Sequence, residues 1–394
     1  MALGLDAYVV AGIIPVISGD LHASISATGQ LVAVFTLSYA LLAPICATLV
    51  TGRPMRTVLL AALLIFTFGN VLGALAPSLG VLMLSRVVCG FGAGLYSPMS
   101  AATAVALAPA QRRGRALSMI LGGMSAGTVV GVPIGLTLAH HTGWRSTLWL
   151  VSGIGAVALV AVAATLPEVP EAAIPTLRAR ISVLTDRKVL SIVAITVFCS
   201  GASLGMYTYI APLFSSTLGV SNLTGYLWIW GLGGLVGSFA VGTLIDRWRN
   251  TRLLLSLILL LLGAALVLLS TIGRSTAGAV VLLLVWGATG WSSLAPQQHR
   301  LVALRPGEGP IAVSLNASVL YLGSAIGAVV GGSLLAAGYS VTTLPYVFGI
   351  AAVVASAANI LVTAPTGSQS TATPAAATTP GAAAAVAPEA SIEA

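Results

Sequence analysis

Residues Arg252–Ile272 read RLLLSLILLLLGAALVLLSTI. Twenty residues follow the arginine without another charge. At 1.5 Å per residue a helix of that length is about 30 Å long, which matches the hydrocarbon core of a bilayer. Working outward from it, comparable apolar stretches fall at about 2–19, 30–50, 56–76, 79–108, 116–139, 144–166, 189–214, 222–245, 276–299, 310–338 and 341–364. A membrane barrel would show short segments of alternating polarity instead. The composition agrees: 57% of the 394 residues are hydrophobic and 7% are charged. A soluble domain carries about a quarter charged residues, so this chain cannot clothe a water-facing surface. The expected fold is all-α and integral to a membrane, with twelve transmembrane helices.

The net charge of +8 does not point to nucleic acid. The basic residues sit singly or in twos and threes between apolar runs, as membrane orientation requires. With a cytoplasmic N-terminus, one side receives Arg53, Arg56, Arg112, Arg113, Arg115, Arg178, Arg180, Arg187, Lys188, Arg247, Arg249, Arg252, Arg300 and Arg305. The other side receives only Arg145 and Arg274, and Arg86 lies inside a span. That asymmetry supports twelve spans with both termini cytoplasmic, in the cell membrane. The first span is short, about 27 Å at most, and a start codon placed upstream is the expectation that would complete it.

The chain also repeats itself. Pro15, Leu21 and Ser24 recur as Pro212, Leu218 and Ser221, and Gly127, Gly131 and Gly135 recur as Gly323, Gly327 and Gly331. Leu49 matches Leu244, and all these offsets are close to 196 residues. The reading is two pseudo-symmetric six-helix bundles, 1–166 and 189–364, joined by a polar cytoplasmic loop at 167–188. The Ala-, Thr- and Pro-rich stretch 365–394 is an expected disordered tail. Parallel duplications of this kind place a substrate site between the halves near the midplane.

Several chemistries are excluded. Gly123-Met124-Ser125-Ala126-Gly127 has the spacing of a nucleophile elbow, but it lies inside a span with no histidine or acid beside it. There is no Walker A loop. His22, His140, His141 and His299 lie at span ends without metal spacing, and Cys46, Cys89 and Cys199 read as packing thiols. No enzyme activity, metal or cofactor is expected.

Three segments carry a family resemblance: Arg86-Val-Val-Cys-Gly90-Phe-Gly92-Ala-Gly94, Gly127-Thr-Val-Val-Gly131-Val-Pro133-Ile-Gly135, and Gly242-Thr-Leu244-Ile-Asp246-Arg247-Trp-Arg249. They resemble signature segments of the major facilitator superfamily, and the second resembles the antiporter motif of its twelve-helix drug:proton exporters. Leu3-Gly4-Leu5-Asp6-Ala7-Tyr8-Val9-Val10-Ala11-Gly12 is similar to the opening of the branch holding chloramphenicol-resistance and arabinose-efflux permeases. The resemblance covers residues 2–364.

Each motif has a physical reading beside the implied one. Gly127, Gly131 and Gly135 form a flat groove for a neighbouring helix, and Pro133 removes one helix hydrogen bond and bends the chain. The resemblance implies that this bend seals the site against leak. Gly242, Asp246, Arg247 and Arg249 would form a cytoplasmic latch, with Asp246 accepting from free helix N–H groups and pairing with an arginine. The first copy of that segment has Thr51 where the family has Asp, which predicts a weaker latch in the N-terminal half. Tyr8, Tyr207 and Asn316 are polar-tipped groups that could line a mainly apolar substrate cavity. Trp228, Trp230, Trp286 and Trp291 read as belt anchors at least in part.

Of the nine acids, only Asp6 lies within a span. Arg86 is the buried cation that could serve it. Asp6 and Arg86 are therefore the candidate proton-coupling residues, although the branch has a second acid where this chain has Ala7. The expected function is secondary active efflux of a small amphipathic drug or antibiotic in exchange for protons, by alternating access. A sugar or metabolite exporter is the alternative within transport, and a non-transporting sensor or scaffold is the alternative outside it. The expected partners are a small molecule, protons and the lipid bilayer, with no nucleic acid, and the expected state is a monomer. The charge split predicts that a reporter fused after residue 364 reads as cytoplasmic and one inserted near Ser78 or Ser216 as external. An external C-terminus would overturn the twelve-span topology.

Overall fold

The computed structural model describes residues 1–49, 52–169, 182, 185–248, 250–304 and 309–362. Most of the expected 167–188 connection, the 365–394 tail, and Thr51, Arg249 and Arg305 lie outside the described residues. The described residues contain no strand. Twelve of their helices are long and apolar enough to cross a membrane: α1 Ala2–Asp20, α2 Ile25–Leu42, α3 Met55–Ala74, α4 Leu79–Leu107, α5 Arg113–Thr142, α6 Trp144–Thr165, α7 Arg187–Thr208, α8 Thr224–Arg247, α9 Thr251–Leu269, α10 Thr276–Leu304, α11 Ile311–Ala336 and α12 Val341–Leu361. The twelve expected spans each correspond to one of them.

Local chemistry sets several boundaries. Ser78, Asp186, Asn250 and Ser275 cap α4, α7, α9 and α10 by accepting from the first free backbone N–H groups. Gly143, at φ 91°, makes the sharp turn between α5 and α6. Large apolar side chains such as Phe239, Phe68 and Leu64 face outward. That pattern needs a lipid environment.

Packing follows the glycines. A Cβ on Gly127 would overlap the Met1 carbonyl, one on Gly131 would come to 3.2 Å from Leu5 Cβ, and one on Gly135 would come to 2.8 Å from Val9. The groove expected on α5 therefore holds α1, with Met1, Leu5 and Val9 stacked along it. In the second copy, Gly323 meets Val197 and Gly327 meets Gly201, so α7 lies in the groove of α11. Met1 to Val197 and Leu5 to Gly201 are each separated by 196 positions, the offset between the glycine sets. The sequence repeat is thus also a repeat of contacts.

α5 is not a plain bent helix. Gly127–Gly131 form a π turn, in which Val132 N–H bonds back to Gly127 O, and a regular helix resumes over Val132–Thr142. Pro133 has no N–H and its ring crowds the carbonyl of Val129. The wider turn directly upstream absorbs both effects, so the expected bend takes the form of a bulge.

The groove can be tested by thermal denaturation in detergent. Gly131→Leu forces α1 away from α5, at a cost of about 1–3 kcal/mol for overpacking, and the midpoint should fall. Gly122→Leu, on the same helix but with nothing within 4 Å of its Cβ position, should leave it unchanged. Equal midpoints for the two variants would show that the groove does not seat α1.

Candidate functional site

With α1 seated on α5, Asp6 is fully buried. Arg86, in α4, is 2% exposed. The two make a forked ion pair: Arg86 Nη1 donates to Asp6 Oδ1 at 2.8 Å and Nη2 to Oδ2 at 3.1 Å. Two parallel bonds of this kind are the strongest pairing the side chains offer. The glycines after Arg86 explain how the helices come close enough. A Cβ on Gly90 would stand 2.5 Å from Phe35 O in α2, and one on Gly92 would stand 2.6 Å from Phe66 N in α3. With α2 that near, the Phe35 ring lies 4.5 Å from the guanidinium carbon, a cation–π contact in a dry setting. Among the described residues Arg86 Nε has no partner. Asp6 is therefore interior rather than at the membrane surface, and it is already bound to Arg86.

Tyr8 lies two residues beyond Asp6 and meets Tyr207 of α7 edge-on, with ring centroids 5.5 Å apart. Tyr207 lies 4.5 Å from Trp230 of α8, and Trp230 lies 6.2 Å from Trp286 and 5.6 Å from Trp291, both of α10. Trp230 and Trp286 are buried, so they are not belt anchors. Trp286 Nε1 donates to Ser203 Oγ at 2.9 Å. A second pair, Tyr39 of α2 and Tyr321 of α11, stacks at 3.9 Å. The two sequence-picked tyrosines do come together, and the tryptophans around them are what the sequence reading missed. These helices are apolar all round, so periodicity gives no inward face to read. A tryptophan several residues inside a span is the one available signal, because belts form at span ends.

Asn316 belongs to a different cluster. It is fully buried in α11, and its Oδ1 accepts from Thr196 Oγ1 of α7 at 2.6 Å. Thr196 also contacts Gln297 of α10, which donates to Ser293 O at 2.9 Å. The partner of Asn316 is thus Thr196 rather than either tyrosine.

The latch residues are placed differently from expectation. Gly242, Asp246 and Arg247 are exposed, and Arg249 lies outside the described residues. α8 continues to Arg247, so Asp246 sits inside its last turn and cannot reach the free N–H groups of α9. Asn250 caps α9 instead, accepting from Leu253 N at 3.1 Å. Among the described residues the ion pairs are Arg86–Asp6 and Arg145–Asp20. Asp20 also accepts from Trp144 Nε1 at 2.9 Å, and Arg145 donates to Ala76 O at 3.0 Å, which ties the ends of α1, α3 and α6.

Besides the Tyr8–Tyr207 and Tyr39–Tyr321 ring contacts, several further contacts join the first six spans to the last six. Ser26 Oγ donates to Gly332 O at 2.7 Å, and His140 Nε2 lies 3.4 Å from Ser221 O. A Cβ on Gly29 would come to 2.6 Å from Tyr209, and one on Gly231 to 3.3 Å from Val129. All of these further contacts lie between mid-depth and the end opposite the arginine-rich loops. Near the arginine-rich end of α10 and α11 there is an open surface depression of about 560 Å³, lined by Ala295, Gln298, His299, Val302, Ala303 and Val313.

Comparison with known proteins places this geometry. Residues 1–310 match the family model described as Major Facilitator Superfamily. The inner membrane transport protein YdhP of Escherichia coli K12 is 30% identical over 352 residues, covering 89% of this chain and 90% of that one. A chloramphenicol resistance protein of Streptomyces lividans is 30% identical over 340 residues, covering 85% and 86%. Among solved structures, a D-xylose-proton symporter superposes with a TM-score of 0.73 at 18% identity, over 91% of this chain and 94% of that one. A bacterial homologue of the lysosomal transporter Spinster, in an inward-facing and occupied conformation, gives 0.72 at 16% identity, over 92% and 94%. The family's members are transporters and not enzymes, and the arginine-glycine segment of α4, the glycine groove of α5 and the twelve-span fold all agree with it: the chain belongs to the major facilitator superfamily.

Proposed function

We propose that this transporter exports a small amphipathic compound from the cytoplasm in exchange for protons. It would act in the cell membrane, as a monomer with both termini cytoplasmic. The observation that carries this reading is the Asp6–Arg86 pair, an acid and a base sealed inside the bundle on the helix that also carries Tyr8. A buried ion pair is weak as a stability device, because its desolvation cost rivals its attraction, and one partner without the other is worse. A proton arriving at Asp6 removes one charge and leaves Arg86 to find another acceptor. Proton binding therefore changes what holds α1 to α4. α1 also touches α7 and α8 through Tyr8, so the change reaches the contact between the bundles 1–166 and 189–364.

In this reading the bundles rock about that contact. The contacts opposite the arginine-rich side correspond to a state closed to the outside. The π turn at Gly127–Gly131 and Pro133 shape the helix that seats α1, and Gly242, Asp246, Arg247 and Arg249 act at the cytoplasmic edge. Asn316 lines the cavity only in a state where its bonds to α7 have loosened. One proton moving down a 100 mV potential supplies about 2.3 kcal/mol, enough for roughly fifty-fold accumulation. The chloramphenicol resistance protein among the relatives supports the direction and the kind of cargo.

The test uses inside-out vesicles energised to be acidic inside. Uptake of a compound from a resistance panel should make the lumen more alkaline, and in Asp6→Asn this coupled uptake should vanish while gradient-free exchange of the compound persists. Undiminished proton-linked uptake in Asp6→Asn would end the mechanism.

Stability separates the pair's two roles. Arg86→Gln leaves a buried carboxylate alone and should cost about 3–5 kcal/mol. Combining it with Asp6→Asn should recover most of that loss in thermal denaturation without restoring proton-driven uptake.

A further inference from the structure

Five aromatic rings, Tyr8, Tyr207, Trp230, Trp286 and Trp291, close on one another where α1 meets α7, α8 and α10. Within this cluster the two buried indoles differ. Trp286 Nε1 has Ser203 as its acceptor. Trp230 Nε1, on a side chain 1% exposed, has no hydrogen-bond partner among the described residues. A buried donor left unpaired is costly and uncommon in native structures. The rings of Tyr8 and Tyr207 lie beside it, but among the described residues neither their hydroxyls nor any other acceptor bonds the Trp230 N–H. The acids do not serve either. Both carboxylate oxygens of Asp6 are held by Arg86, and the other described acids, Asp20, Glu168, Asp186 and Asp246, lie at helix ends or in loops.

We propose that this cluster is a ligand subsite for an uncharged aromatic molecule carrying an acceptor oxygen. The oxygen takes the Trp230 N–H, and the molecule's ring replaces Tyr8 against Tyr207 and the indoles as the spans separate. A cation would find π faces here but would leave the indole donor unpaired. An anion would be buried without a free cation, since Arg86 is engaged. The proposal names the cargo class for the transport reading above and rests on it for the cluster's being a transport site, though its test needs only binding.

The experiment measures equilibrium dialysis of the full chain in lipid nanodiscs with three naphthalenes. They are 2-acetylnaphthalene, 2-isopropenylnaphthalene (the same shape with CH₂ in place of the oxygen), and the trimethyl-(2-naphthyl)ammonium ion. The ketone should bind about tenfold tighter than either of the others, the worth of one hydrogen bond. Trp230→Phe should bring the ketone-to-alkene ratio to about one while leaving alkene binding within about twofold. Trp286→Phe, whose N–H already has an acceptor, should keep the ratio. If Trp230→Phe does not fold, the indole N–H resonances of the ¹⁵N-tryptophan-labelled native sequence decide: one of them should shift with the ketone and not with the alkene. Equal ketone and alkene affinity, tighter cation binding, or discrimination surviving in Trp230→Phe overturns the proposal. Ketone preference without proton-linked movement would sink the transport reading and leave this inference standing; proton-linked movement without ketone preference would do the reverse.

Discussion

A carboxylate and a guanidinium share a dry pocket between α1 and α4, and much of the first half of the chain is arranged so that they can. Charges survive in such a place only when each is matched by the other in close, well-directed bonds. That matching sets tolerances on four helices at once. The glycines of α5 bring α1 in, and Gly90 and Gly92 let α2 and α3 close on α4. Phe35 then covers the guanidinium face. None of these helices can withdraw by a side chain's width without admitting water or stretching the pair.

The internal repeat does not copy this pocket. At an offset of 196 the counterpart of Asp6 is Ala202, and near the counterpart of Arg86 stand Leu282 and Leu283. All three are buried. The second copy keeps the glycine groove, with α7 in α11, but has apolar side chains at the corresponding positions; its buried polar side chains, Thr196, Gln297 and Asn316, lie elsewhere on α7, α10 and α11. The halves have thus divided labour. One holds a buried ion pair, and the other supplies uncharged hydrogen bonds and most of the aromatic surface.

How much of this was legible in the sequence depends on the kind of signal. Twelve spans follow from hydropathy because a bilayer imposes a single length scale on every segment. The glycine grooves were legible for a similar reason: three glycines at four-residue spacing have few other uses in a membrane helix. Asp6 and Arg86 stood out because charges within spans are rare, although their being bonded to each other was not visible. The burial of Trp230 and Trp286 was not legible because an all-apolar helix gives no face to choose, so they looked the same as residues at a lipid interface. Asp246 was misplaced for a humbler reason. α8 runs two residues past the expected span end at 245, to Arg247, and that is enough to put Asp246 inside its last turn.

The π turn in α5 has a geometric consequence. A π turn is a helix carrying one residue more than the regular repeat allows, and one residue in an α-helix corresponds to about 100° of rotation. Were the five residues Gly127–Gly131 to tighten to regular winding, the segment beyond them would turn about its axis relative to the segment before, while both ends kept their loops. Glycines at both ends of the bulge, and a proline that has already given up its N–H, lower the resistance to such a change. The helix that cradles α1 thus has the makings of a rotary joint, in which an exchange of backbone hydrogen bonds would appear as twist at the groove where Leu5 and Val9 rest.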